Sequence, residues 1–257
     1  MTRKRFFTTV VMMTALLATN RSQAQDKGEG PATLVLSYKS APSNRTAFHA
    51  YMESAGVTRF EAWKKQGVFA GYQVLFSSYV NDSTWDALLV LSFDKYVDQA
   101  RWKEIERKEP GGLDAAGLAL ASPKNAYVAD LTWSGAAEKR GETKPVYFVI
   151  PYTYLVGRAD YKTYVDGYVI PQMKGWVSEG VVSSYRIFLN QNETGDPWDA
   201  LFILEYRDLR ALALRRATIT KVRAVLANNP VWKKLSDDKH EVRKEGEIII
   251  ADEVRLK

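Results

Sequence analysis

Sliding the 257-residue chain against itself by 113 residues lays Trp63 on Trp176, Gly67 on Gly180, Val68 on Val181 and Tyr72 on Tyr185. The same offset carries Trp85-Asp86-Ala87-Leu88 onto Trp198-Asp199-Ala200-Leu201, Leu91 onto Leu204 and, upstream, Tyr51 onto Tyr164. Between Phe60 and Phe93 nine of 34 positions are identical, and eight of the others exchange one apolar residue for another. A repeat of this period means one supersecondary unit present twice. Any fold for the chain must therefore be two copies of one module, each burying its apolar faces against itself and against the other.

Both copies read in the same order. A β-rich run comes first, Thr33 to Tyr38 and Val146 to Ile150. Apolar residues at helical spacing follow: Phe48, Tyr51, Met52, Phe60 and Trp63 in one copy, Tyr161, Tyr164, Val165, Tyr168, Met173 and Trp176 in the other. Gly67 and Gly180 stand where a left-handed C-cap would end those helices. Gly56, and Gly167 with Pro171, are expected to interrupt or bend them.

Two strands come next, joined by turn residues. Val68 to Tyr79 passes through Asn81-Asp82-Ser83 into Trp85 to Phe93, and Val181 to Leu189 passes through residues 193–197 into Trp198 to Tyr206. Second helices are expected over Tyr96 to Arg107 and Asp208 to Ala227. Closing strands are expected over Asn125 to Leu131 and Glu247 to Val254, where Ala129-Asp130 echoes Ala251-Asp252 at a larger offset. The order is βαββαβ twice, an α+β chain. Such a unit makes a four-stranded antiparallel sheet with both helices on one face, leaving the other face apolar and in need of cover. A second copy of the sheet is the natural cover, so the two sheets should meet about an internal pseudo-two-fold and can curl into a barrel. The modules are placed at residues 32–132 and 146–257, with 133–145 as linker.

The first 24 residues have another character. Arg3, Lys4 and Arg5 precede an apolar run from Phe6 to Ala18 and then polar residues, with Ser22 and Ala24 at the −3 and −1 positions of a cleavage site. This predicts a secretory signal peptide cut after Ala24 and a periplasmic or secreted mature protein. The run of about 13 apolar residues is short of the roughly 20 that cross a bilayer, so no stable membrane insertion is expected after cleavage. The chain has no cysteine, which excludes a lipid-modified N-terminal cysteine and leaves stability to core burial. Of the 36 basic residues, four lie in residues 1–25, leaving 32 against 30 acids. So even a balance gives no electrostatic footprint for nucleic acid.

Topology and duplication together resemble the dimeric α/β-barrel (ferredoxin-like) superfamily, which includes antibiotic-biosynthesis-type monooxygenases and EthD-like and NIPSNAP-like proteins, here with both modules in one chain. The resemblance implies a fused, pseudo-dimeric barrel. It also implies a chamber between sheet and helices that takes a small, mostly apolar or aromatic ligand, and work done without metal or cofactor, as in a cofactor-independent oxygenase or isomerase. A noncatalytic scaffold or interaction module, with the possibility of a homo-oligomer, is the alternative. Fused barrels of this length also resemble chlorite-dismutase-like and dye-decolourising haem proteins, which require a proximal histidine. Here the histidines are His49, in the first helix, and His240, in a charged stretch expected to be exposed. No pair of histidines or cysteines stands at zinc-ligand spacing, and no nucleophile motif or phosphate loop appears.

The repeated Trp-Asp pairs could be symmetric carboxylates on the barrel rim. They could equally be residues the module needs to fold, each Asp finishing a hairpin turn and each Trp packing on the sheet; retention in both copies favours the latter. Function is better sought where the copies differ. Gln73 and Arg186 are such a pair, inside apolar strands, where an arginine must reach solvent or meet an anion. The candidate ligand-binding residues are therefore Arg186, Tyr185, Tyr72 and Gln73, with Tyr38 and Tyr152 near the ends of the first strands.

Overall fold

A computed structural model describes residues 30–138, 144–192 and 197–256. The segment expected to be a signal peptide, and most of the second hairpin turn, lie outside these residues. The strands are β1 (Ala32–Ser40), β2 (Gly71–Ser77), β3 (Ala87–Phe93), β4 (Ala121–Ala136), β5 (Val146–Tyr154), β6 (Val182–Asn190), β7 (Ala200–Tyr206), β8 (Arg243–Glu245) and β9 (Ile249–Val254).

Each module forms the same antiparallel sheet, in the order β4-β1-β3-β2 and β9-β5-β7-β6. Their edges then join, β4 to β6 and β2 to β9, so the two sheets close into one eight-stranded ring. The short β8 lies in line with β9 along β5. Closure leaves the ring without a free edge. It also lengthens β4 beyond its expected extent. Trp133 to Ala136, the start of the expected linker, are strand residues paired with Ser184 to Ile187.

Strand alternation then sorts the side chains into three compartments. Residues of one parity, among them Val35, Leu75, Val90, Val149, Phe188 and Ile203, fill the middle of the ring. Residues of the other parity pack outward under the helices of the first module and of the second. Trp63 and Trp176 belong to these outer layers.

The first helix of each copy runs unbroken from Arg45 to Lys65 and from Arg158 to Ser178, with one π turn at Met52–Gly56 and one at Val165–Val169. All these bounds repeat at the 113-residue offset. The expected break is thus a π turn within a continuous helix. Pro171 is not its cause, because Thr58 holds that position in the first copy, where its hydroxyl donates to Ser54 O at 2.6 Å. Gly67 and Gly180 end the helices with φ of 67° and 72°, as C-cap glycines do. The long helix expected over Asp208 to Ala227 is two, Leu209–Ala213 and Arg215–Leu226, and two shorter ones follow at Pro230–Asp237 and Lys239–Val242. No helix of the described residues is long and apolar enough to cross a membrane.

Candidate functional site: the two mouths of the barrel

The matched aspartates are structural. Asp86 is 1% exposed; its Oδ2 accepts from Ser40 N and Ser40 Oγ, both at 2.9 Å, and its Oδ1 accepts from Arg45 Nε at 3.2 Å. Asp199 is equally buried and accepts from Tyr154 N at 3.2 Å. Around both, the backbone repeats itself. Asp86 N donates to Tyr38 O and Asp199 N to Tyr152 O, each at 2.9 Å. Arg45 and its counterpart Arg158 both donate to the carbonyl ending the preceding strand, Ser77 and Asn190. These carboxylates tie the first strand and first helix to the hairpin, so they are held away from solvent and ligand alike.

The matched tryptophans do something else. At one end of the barrel, Trp85 and Trp198 line a cavity of about 420 Å³. Its walls come in pairs from the two copies: Leu88 and Leu201, Val35 and Val149, Tyr127 and Ile249. Trp198 is buried and meets Tyr127 with ring centroids 5.5 Å apart. Lys39, Lys124 and Glu247 supply charge among the lining residues. Lys39 lies 3.6 Å from Asp86, and Glu247 accepts from Asn81 Nδ2 and Ser83 Oγ.

The opposite mouth is polar, with a cavity of about 480 Å³. Arg186 on β6 donates to Gln73 on β2, its own counterpart in the repeat. Beside them, Ser184 Oγ donates to Glu205 at 2.5 Å and Tyr147 OH to Glu253 at 2.8 Å. Burial, and then the neighbouring Glu253 and Glu205, push the Tyr147 phenol far above its ordinary value. This mouth is knit together by its own side chains.

Of the six residues proposed from sequence, Arg186 and Gln73 meet in the lumen, and Tyr185 borders the same mouth while its body packs in the outer layer of the second module. Tyr72 is separated from them. One residue before Gln73, it points to the other sheet face and packs on Phe60 and Phe69, with centroids 5.8 and 6.1 Å away. Burial and then Glu61 push its phenol up to about 12. Tyr38 and Tyr152 also face the helices. Tyr38 OH donates to Gly111 O at 2.5 Å and Tyr152 OH to Glu245 at 2.8 Å. The expected Arg186, Tyr185 and Tyr72 grouping thus divides between two faces of the sheet, as period-two alternation requires. Matching between the copies reads as scaffold and so hides the tryptophan mouth; its detectable signal is that four of its lining residues, Trp85, Leu88, Trp198 and Leu201, belong to the strongest block of the repeat.

A haem bound through a proximal histidine does not fit these residues. His49 is half-buried on the first helix, 3.7 Å from Glu53 and edge-on to Phe76, and His240 is exposed on a short helix. Neither borders either cavity.

No protein-family model and no curated protein matches the sequence. Solved structures do. An anthrone oxidase-like protein matches over 88% of this chain and 92% of its own, with a TM-score of 0.56 at 11% identity. A candidate monooxygenase from Fusobacterium nucleatum subsp. nucleatum ATCC 25586 matches over 88% and 94%, with 0.54 at 10%. A point mutant of the chlorite dismutase from Candidatus Nitrospira defluvii matches over 91% and 95%, with 0.52 at 9%. The chain has the dimeric α/β-barrel fold. Both ferredoxin-like modules lie in one polypeptide, and at such identities the likeness concerns fold alone.

Proposed function

We propose that the protein binds a small, largely apolar aromatic molecule in the tryptophan mouth of its barrel. The observation that carries this reading is the cavity of about 420 Å³ between Trp85, Trp198 and Tyr127, within the size range of small-molecule sites and lined as they are, by apolar and aromatic walls with a few polar groups. Aromatic walls favour a planar ligand through offset and edge contacts, and Lys124 favours one with an acidic substituent. Binding is favoured over catalysis, because the charged groups lie among the hairpin and strand-end residues while the floor is aliphatic. The oxygenase-like neighbours share the fold at 10% and 11% identity. We place the protein outside the cytoplasm as a chain beginning after Ala24. The supporting feature is the basic, apolar and small-residue pattern of its first 24 residues.

The test is titration of the mature protein with 2-naphthoate, followed by tryptophan fluorescence, together with mass spectrometry of molecules that co-purify. Saturable quenching in the wild type that is lost in Trp85→Ala supports the site. Quenching unchanged in Trp85→Ala and in the cavity-filling Leu88→Phe, or no saturable binding of any aromatic acid or co-purified compound, refutes it. N-terminal sequencing of the exported fraction tests the cut after Ala24.

A further inference from the structure

The second module has a feature in its helix-facing layer that the first lacks. Five aromatic rings follow one another there, with centroids 4.5 Å apart for Tyr154 and Tyr161, 6.2 Å for Tyr161 and Tyr164, 5.1 Å for Tyr164 and Tyr168, and 5.1 Å for Tyr168 and Trp232. Arg243, at the start of β8, lays its guanidinium among them. Its Cζ lies 4.0 Å from the Tyr152 ring centroid, 5.4 Å from Tyr164 and 6.0 Å from Tyr168.

No acid among the described residues pairs with this cation. The rings of Tyr152, Tyr164, Tyr168 and Phe202 surround it, and its buried Nη1 has no hydrogen-bond partner. Ring faces stabilise such a charge when it is desolvated, but they leave Nη1 without an acceptor. The hydroxyls of Tyr161, Tyr164 and Tyr168 are also buried without an acceptor. An orphaned buried hydroxyl is destabilising, and a charge held among rings without a counter-charge is more so. Burial raises the phenols of Tyr161, to about 12, and of Tyr164, so both keep their protons and remain donors.

At the 113-residue offset the first module has Phe48 for Tyr161 and Ala55 for Tyr168. Its Tyr51, matching Tyr164, donates to Asp114 at 3.0 Å. The surplus of donors is therefore particular to the second copy. We propose that Arg243 and the hydroxyls of Tyr161, Tyr164 and Tyr168 form a binding site for a small inorganic monoanion of halide size. The guanidinium can only donate, each phenol still has a proton to donate, and ring centroids 4.5–6.2 Å apart point to a small guest.

The experiment is thermal unfolding of the mature protein in sodium gluconate progressively replaced by sodium bromide at constant ionic strength, with anomalous diffraction from bromide-soaked crystals. The Tm is expected to rise and saturate, by about 3–6 °C at ten times the half-saturating concentration, and a bromide peak should stand beside Arg243. Arg243→Met should show no bromide dependence. If that variant does not fold, Tyr168→Phe serves instead and should need several-fold more bromide for half-saturation. An equal Tm in both salts, a peak absent from this cluster, or a bromide response retained in full by Arg243→Met or Tyr168→Phe overturns the proposal, and water would then be the occupant.

Discussion

The Arg186 guanidinium donates to Gln73 Oε1 across the polar mouth of the barrel, although the two residues hold the same position in the two repeats. Two identical modules would face each other here with like side chains, two arginines or two glutamines. Divergence within one chain has replaced that with a donor and an acceptor. Gln73→Leu should cost about 1.5–3 kcal/mol, as for a hydrogen bond to a charged group, and Gln73→Glu should cost less. Urea unfolding midpoints of the two variants decide this; equal stability of Gln73→Leu and wild type would mean that the contact contributes nothing.

Asp86 sits beneath four donors and is closed off from solvent. Its removal in Asp86→Ala strands the Arg45 guanidinium and Ser40 N, an uncompensated arrangement that costs about 3–5 kcal/mol. Chemical denaturation should show that loss while 2-naphthoate binding survives in the folded fraction. That outcome separates the aspartate's role from its neighbour tryptophan's.

Two glycines test packing against backbone strain. Gly112 has φ of 71°, and a Cβ there would come within 2.9 Å of Trp102 and 3.0 Å of Phe60 and Trp63. Gly180 has φ of 72° with nothing within 4 Å of such a Cβ. Gly180→Ala should cost only the left-handed strain, about 1–2 kcal/mol, and Gly112→Ala should cost clearly more because aromatic rings must also move. Thermal unfolding of both variants side by side measures the difference.

Glu106 is expected to work against stability at neutral pH. Its carboxyl is raised above the ordinary value, first by burial, with the Gly111 N–H opposing, and its Oε2 has no partner. A raised folded-state value means that the fold favours the protonated acid; this contribution is complete below the unfolded value and is lost as pH rises through the folded one. Glu106→Gln keeps an acceptor for Gly111 N, which donates at 2.9 Å. It should be more stable than wild type at neutral pH and should flatten the stability profile above about pH 4. Denaturation midpoints measured across that range check both signs.

Much of this architecture was legible in the chain because its signals are local. The first helix of each copy, the glycine caps and the hairpins follow from periodicity and turn chemistry, and their agreement at one offset marks the duplication. The symmetry that the fold uses is looser than that offset. Tyr38 pairs with Ala87 and Tyr152 with Ala200, so the first strands correspond at 114 residues. The last strands are shifted further, as the Ala129-Asp130 echo indicates. That the expected interruptions are π turns is not legible locally, because Ser54 and Thr58 in one copy, and Gly167 and Pro171 in the other, share no common sequence signal.

The βαββαβ order of each module and the same paired tryptophans in both copies are written in the chain. Tertiary structure decided what those facts meant. The joins of β4 to β6 and β2 to β9 unite segments far apart in the chain, and no local pattern encodes which lumen end each residue reaches. Closure brought Trp85 and Trp198 to one cavity and Gln73 to Arg186, and packing of β8 set Arg243 in a layer of tyrosines. The physical reason is that alternation sets which face a side chain takes, while neighbours on that face are set only when the ring closes.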